Sequence, residues 1–271
     1  MELFDIQDKV IAATGGGGVL VGAMARGLAR AGAKIAVLDI FEEAAQRVAD
    51  DIVQAGGEAA GIKMDVLDKA SVQAGLAATL ARFGQVDILI NGAGGNKKQA
   101  TTSPDLSFFD LPQDAFQWVF DLNFIGTLLP SQVFGKQMAE QGRGVILNVS
   151  SMNAFRPLTR IPAYSAAKAA VSNFTQWLAV HIAQEYSPDI RVNAIAPGFF
   201  LTDQNRFLLI DEASGQLTAR GQTIIDHTPM ARFGAPDDLL GSVLWLLSPA
   251  SAFVTGVVVP IDGGFSAFSG V

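Results

Sequence analysis

The chain has 271 residues, 49% of them hydrophobic and 17% charged, which is enough to bury a large core and rules out a disordered segment. A formal net charge of -7 and the lack of any Lys/Arg run argue against a nucleic-acid binder and leave a small molecule as the expected partner. The absence of cysteine excludes disulfides, iron–sulfur clusters and thiolate zinc sites, and two histidines, His181 and His227, offer little for a metal centre, so none is expected.

The opening residues MELFDIQDKV carry acids where a signal peptide carries a basic region and an apolar core, so a cytoplasmic protein is expected. KVIAAT then reads as a buried strand leading into the glycine cluster TGGGG, and VLVGAMARGLARAG reads as a helix ending at Gly32. KIAVLD is a second strand, and EEAAQRVADDIVQAG is a helix with acids in its first turn, where the macrodipole favours them. The alternation continues through EAAGIKMD, a helix over Lys69 to Phe83, VDILIN, one long helix from Asp114 to Ala139, and GVILNVSS. A helix over Ala163 to Tyr186, the strand IRVNAIAP and a less regular stretch from Phe199 to Phe233 follow. Gly241 to Ile261 is uncharged and long enough to span a bilayer, but Pro249 and Gly256 interrupt it, so it reads as a buried helix, a turn and a short strand. No repeat or linker divides the chain, and no membrane span is expected. The pattern predicts a single α/β domain over 1–271, a Rossmann-type doubly wound parallel sheet of about seven strands with helices on both faces.

Ligands of such sheets sit beyond the carboxyl ends of the strands. Thr14 to Gly18, Asp39, Asp65, Asn91 to Gly95, Ser150 with Ser151, and Pro197 with Gly198 all follow predicted strands and are expected to line one edge. Four glycines in a row are a weak signal, compatible with a plain flexible turn. Asp39 strengthens it, because a carboxylate at the end of the second strand accepts from both ribose hydroxyls and repels a 2′-phosphate; the plainer alternative is a cap for the helix that follows. Tyr164 and Lys168 in YSAAK share a helix face, where a cation is expected to favour the phenolate, although such a pair is more often an ordinary surface contact. Ser151 is placed to reach the same substrate oxygen, or else caps the next turn. Asn123 in LNFIG puts an amide in an otherwise apolar helix, where it either serves the site or satisfies a core carbonyl.

Taken together, TGGGG, Asp39, Asp65, NGAG at Asn91 to Gly94, Asn123, Ser151, YSAAK and PGFFLT at Pro197 to Thr202 resemble the short-chain dehydrogenase/reductase family along nearly the whole chain. That resemblance implies an NAD-dependent oxidoreductase in which Asn123, Ser151, Tyr164 and Lys168 form the catalytic group. Tyr164 would exchange a proton with the substrate oxygen, Ser151 would bond that oxygen, Lys168 would bias Tyr164 and hold the nicotinamide ribose, and Asn123 would anchor a water. It further implies a cofactor site built from Gly15, Gly17, Gly18, Val19, Asp39, Ile40, Asp65, Val66, Asn91, Gly92, Ala93, Tyr164, Lys168, Pro197, Gly198 and Thr202. The family's later turn glycines are replaced by Val19 and Val21, with Gly18 and Gly22 beside them.

GGNKKQATT, SMNAFRPLTRIPAY, GFFLTDQNRFLL and LTARGQTIIDHTPMARFG are similar to the family's sugar-acid branch, and within it to the D-mannonate oxidoreductase (fructuronate reductase) type, which interconverts D-fructuronate and D-mannonate with NAD(H). Lys97, Lys98, Arg156, Arg160 and Arg206 are the candidate cations for a substrate carboxylate, each with solvated surface charge as its plainer reading. The stretch 199–233 is expected to be a substrate lid. A gluconate 5-dehydrogenase-like or other polyol oxidoreductase is the near alternative, and a non-catalytic NAD-binding regulator the distant one. The apolar ending VVVPIDGGFSAFSGV is expected to be buried in the interface of a homo-oligomer, a tetramer.

Overall fold

Short apolar runs alternating with amphipathic ones build a three-layer arrangement, seen in a computed structural model that describes residues 2–202, 206–211 and 214–270. The strands are β1 (Val10–Thr14), β2 (Lys34–Asp39), β3 (Glu58–Lys63), β4 (Ile88–Asn91), β5 (Gly144–Val149), β6 (Ile190–Pro197) and β7 (Val258–Ile261). They form one seven-stranded sheet in the order β3-β2-β1-β4-β5-β6-β7, parallel throughout. This is the expected doubly wound fold. The order reverses direction between β1 and β4, which opens a crevice at their carboxyl ends.

Alternation along each strand feeds two cores. Ile11, Ala13, Ile35, Val37, Ile88, Ile90, Leu147 and Ile195 face one side, where α1 (Val19–Arg30) and α2 (Glu42–Gln54) lay down Val21, Met24, Leu28, Val48 and Ile52. Ala12, Ala36, Leu38, Leu89, Ile146 and Val192 face the other, against Val72 of α3 (Lys69–Phe83).

The one long helix expected over 114–139 is broken. It forms as α4 (Gln113–Phe120), a turn of π-helix over Asp121–Ile125, and α5 (Gly126–Gln141). The wider turn disturbs the regular carbonyl ladder, and side chains help to satisfy it: Asn123 donates to the Val119 carbonyl at 2.7 Å and Thr127 to the Asn123 carbonyl at 2.9 Å. Pro130, which has no N–H, lies one turn further on. The long helix α6 (Pro162–Glu185) follows β5, with proline at its start, where its missing donor costs nothing.

Beyond β6 come α7 (Arg206–Leu209), α8 (Ala219–Asp226) and α9 (Leu240–Leu247). The uncharged stretch 241–261 is the expected helix, turn and strand, and among the described residues no helix is long and apolar enough to cross a membrane. Of the stretch 199–233, residues 203–205 and 212–213 lie outside the described residues. Its two ends are tied together: Leu201 N–H donates to the Gly234 carbonyl and Gly234 N–H to that of Phe199, at 3.1 and 2.9 Å.

Candidate active site

Thr14 ends β1 with its hydroxyl turned across the crevice, where it accepts the N–H groups of Gly92 and Ala93 at 3.1 and 3.3 Å. This fastens the first glycine turn to the one after β4. Gly15 has φ +66°, and a Cβ there would lie 2.8 Å from the Ala93 backbone, so both the conformation and the approach require glycine. Because Gly92 and Ala93 spend their donors on Thr14, they offer a ligand shape and carbonyls rather than N–H groups.

The valines in the glycine turn are absorbed without lengthening it. Val21 is buried, and a Cβ on Gly92 would stand 2.3 Å from it, so the missing side chain of one turn makes room for the extra side chain of the other. Gly18 N–H bonds the Gly15 carbonyl at 3.0 Å, and α1 begins at Val19 with no side chain capping it. Uncapped first-turn N–H groups beside a turn with no side chains fit the pyrophosphate of a dinucleotide.

Asp39 ties this turn to the second strand. One carboxylate oxygen accepts from Gly17 N–H and the other from Phe41 N–H, each at 3.0 Å, so its position is fixed while lone pairs remain for ribose hydroxyls. Ile40 and Phe41 beside it are 49% and 73% exposed and bring no cation, while Arg26, the nearest basic side chain of α1, is held by Asp51. Asp65 accepts Leu67 N–H at 2.9 Å, whereas Val66 is buried in the second core, so what it presents to a cofactor is backbone. Pro197 closes β6 and Gly198 passes so close to Asp262 that a Cβ would lie 2.5 Å from its side chain. Thr202 follows on, its carbonyl accepting Arg206 N–H.

Across the crevice, Ser151 sits just past β5, and Tyr164 and Lys168 descend from the first turns of α6. Ala100, Ala115, Val119 and Ala163 pack with Phe116 and the Tyr164 ring in a small cluster that fixes the ring. The Lys168 ammonium donates to the Val149 carbonyl at 2.7 Å and lies 5.6 Å from the Tyr164 ring centre. Burial pulls Lys168 down to about 8. The expectation that the cation draws the phenol down is not met. Burial pushes Tyr164 above its ordinary 10.0, and the opposing pull comes from a hydrogen bond with Ser151.

Asn123 is fully buried, and both of its amide hydrogens are engaged, donating to the Gly95 and Val119 carbonyls at 2.7 Å, while its oxygen accepts Gly95 N–H at 3.2 Å. It therefore clamps the loop after β4, and only a spare lone pair on Oδ1 is left for a water. A Cβ on Gly94 would sit 2.6 Å from that oxygen and 3.3 Å from Lys168 Nζ, so the loop, the amide and the ammonium converge on one point. Asn91 is also buried, donating to Ser131 and Asn148 rather than facing the crevice.

The candidate carboxylate cations differ in burial and in partners. Lys97 is half-buried, its ammonium 4.8 Å from the centre of the Trp118 ring. Lys98, Arg156, Arg160 and Arg206 are exposed, and Arg156 Nε donates to the Ser266 carbonyl at 3.1 Å. Arg160 takes φ +74°, and its carbonyl accepts Thr102 N–H at 2.9 Å, which joins the 156–160 loop to the one after β4. Among the described residues none of these cations makes an ion pair.

A dinucleotide cradle facing a serine, a tyrosine and a buried lysine defines a nicotinamide-dependent oxidoreductase. The family model described as enoyl-(acyl carrier protein) reductase matches residues 20–266. An uncharacterized oxidoreductase, UxuB, of Bacillus subtilis is 50% identical over 276 residues, 98% of each chain. A solved structure from Haemophilus influenzae with bound NAD, provisionally named a D-mannonate oxidoreductase, is 48% identical with TM-score 0.92 over 98% of both chains. A gluconate 5-dehydrogenase from Burkholderia cenocepacia in complex with NADP and tartrate is 31% identical, with TM-score 0.87 over 98% of both. The chain belongs to the short-chain dehydrogenase/reductase family.

Proposed function

We propose that the protein is a cytoplasmic NAD(H)-dependent oxidoreductase of a sugar acid, interconverting D-fructuronate and D-mannonate. The observation that carries this reading is the setting of the Ser151–Tyr164–Lys168 group, which opens between two joined loops bearing Lys97, Lys98, Arg156 and Arg160, none with an acidic partner among the described residues. Cations without acidic partners, on the loops that follow β4 and Ser151 in a net acidic chain, suit an anionic substrate. The provisional name of the Haemophilus relative points the same way.

When bound, the nicotinamide supplies or accepts the hydride. Uncapped N–H groups at the start of α1 would hold the dinucleotide's pyrophosphate, Asp39 the ribose that carries the 2′-phosphate in NADP, and Lys168 the nicotinamide ribose. Ser151 orients the ketone oxygen, and Tyr164, kept protonated by burial, delivers the proton as that oxygen gains charge. Lys168 keeps a positive charge behind the phenol. Reduction uses both groups in their protonated forms, and Lys168 is the first to lose its proton as pH rises. Its kcat/KM is therefore expected to be level at neutral pH and to fall as pH passes through about 8. A pH–rate profile that stays flat up to about 10 contradicts this assignment.

Asp39, followed by the apolar Ile40 and Phe41 and with Arg26 paired to Asp51, implies NADH over NADPH. Paired kinetics are expected to give NADH at least ~10-fold higher kcat/KM, the equivalent of one charged contact. A preference for NADPH, which shares the 2′-phosphate of the NADP in the Burkholderia complex, removes Asp39 as the selector.

The test of substrate is an NADH-oxidation screen of keto-uronates and ketogluconates. D-fructuronate is expected to give the highest kcat/KM. Faster turnover of a 5-ketogluconate moves the protein to the gluconate 5-dehydrogenase reading, and NADH binding without turnover of any ketone moves it to a regulator. In this proposal the stretch 199–233, pinned at its ends, is the lid that closes over the substrate. We also infer a homotetramer: β7 is a terminal strand with a half-exposed surface, and Phe253 and Phe268 stand out from the same end of the chain. Light scattering that gives a monomer mass overturns the assembly.

A further inference from the structure

Asn153 lies two residues beyond Ser151 in the 3-10 turn Met152–Ala154 and is only 5% exposed. Its backbone N–H donates to Ser151 Oγ at 3.3 Å. Its Oδ1 accepts Leu158 N–H at 2.8 Å and lies 3.5 Å from the hydroxyl of Ser165, the residue after Tyr164. A backbone N–H can only donate, so the amide oxygen is assigned by Leu158 and the –NH2 group faces elsewhere.

Among the described residues that group has no hydrogen-bond partner. Among the described residues, the one fully buried side-chain nitrogen or oxygen without a partner is Asn91 Oδ1, so Asn153 Nδ2 is not sealed in the core and borders accessible space. The residue touches Ser151 through its backbone N–H and Ser165 of α6 through its Oδ1, so it lies between the two segments that carry the Ser151 and Tyr164 hydroxyls. A carboxylate would make both oxygen bonds equally well. Among the described residues nothing uses the amide nitrogen internally, and two N–H donors on a side chain only 5% exposed suit an acceptor brought in by a ligand.

We infer that the Asn153 amide is a specificity-determining donor that holds a hydroxyl oxygen of the substrate, on the carbon next to the carbonyl gripped by Ser151 and Tyr164. This deepens the reading of the enzyme as acting on a polyhydroxylated acid and rests on it for the choice of substrate. The alternative is that Asn153 only pins the 153–158 loop to α6.

The two are separated by a cycle between protein and substrate. Wild type and Asn153→Asp, which keeps both oxygen bonds, are assayed on the best keto-uronate and on its analogue lacking the hydroxyl next to the carbonyl, with NADH Kd and Tm recorded. Asn153→Ala is run in parallel because it adds no charge, and it carries the cycle if the Asp variant does not fold. Either change alone is expected to lower kcat/KM by about 10-fold or more, and the two together by no more than one, with NADH Kd unchanged. Losses that multiply, a variant with wild-type kcat/KM, or a wild type indifferent to the missing hydroxyl overturn the inference. If the wild type ignores keto-uronates but reduces a neutral ketose, the sugar-acid reading fails alone, and the same cycle is run on that ketose.

Discussion

Tyr164→Phe is expected to lower kcat for ketone reduction at least ~100-fold, the lower end of what a positioned general acid contributes, with Tm and NADH Kd close to wild type. The structure isolates the hydroxyl for this test. The ring packs against Ala100, Ala115, Val119 and Ala163, and phenylalanine fills the same space, so no cavity opens. Lys168 keeps its bond to the Val149 carbonyl, and Ser151 keeps its bond from Asn153 N–H. What goes is the proton donor and its contact with Ser151. Stopped-flow measurement of NADH oxidation under single-turnover conditions separates this loss from slow product release. If the folded variant, with NADH bound, turns over at a near-normal rate, Tyr164 is not the acid, and Ser151 with a water becomes the candidate.

The sheet edge was legible because its signals are local. An apolar run ends, and a polar or glycine residue follows; a parallel sheet must then place Thr14, Asp39, Asn91, Ser151 and Pro197 at the same end. Three features were not legible because each depends on residues distant in sequence. The glycine turn tolerates Val21 because Gly92 of another turn lacks a side chain. The π-turn at Asp121–Ile125 depends on Asn123 reaching the Gly95 backbone, a contact that helical periodicity does not encode. The Tyr164–Lys168 spacing gave proximity but not burial, and burial decides the direction in which both groups shift. Asn153 was passed over for the same reason, since an Asn beside a Ser reads as turn chemistry until its unpartnered nitrogen is seen.

Lys97→Ala is expected to raise KM for the sugar acid by roughly 10- to 150-fold, the equivalent of a lost charged hydrogen bond of ~1.5–3 kcal/mol, with kcat little changed. Sequence alone ranks Lys97, Lys98, Arg156 and Arg160 above Arg206 but does not separate those four; the structure separates them by solvation and rigidity. An exposed cation is screened and pays side-chain entropy to grip a carboxylate, whereas the half-buried Lys97, its ammonium already over an indole face, has met part of the entropy cost. Lys97 also stands two residues from Gly95, whose N–H and carbonyl are both gripped by Asn123, so its backbone is fixed relative to the reacting group. Arg156 is the next candidate, but its Nε is already spent on the Ser266 carbonyl. The discriminating measurement is kcat/KM for the acid against that for a neutral ketose of the same length, which should lose less than ~3-fold because uniform binding of the hydroxyls is untouched. If the loss falls on Arg156→Ala or Arg160→Ala instead, the carboxylate is held from the loop after β5. If single alanine substitutions of all these cations leave the acid unaffected, the sugar-acid reading loses its physical support, and a neutral polyol becomes the better substrate.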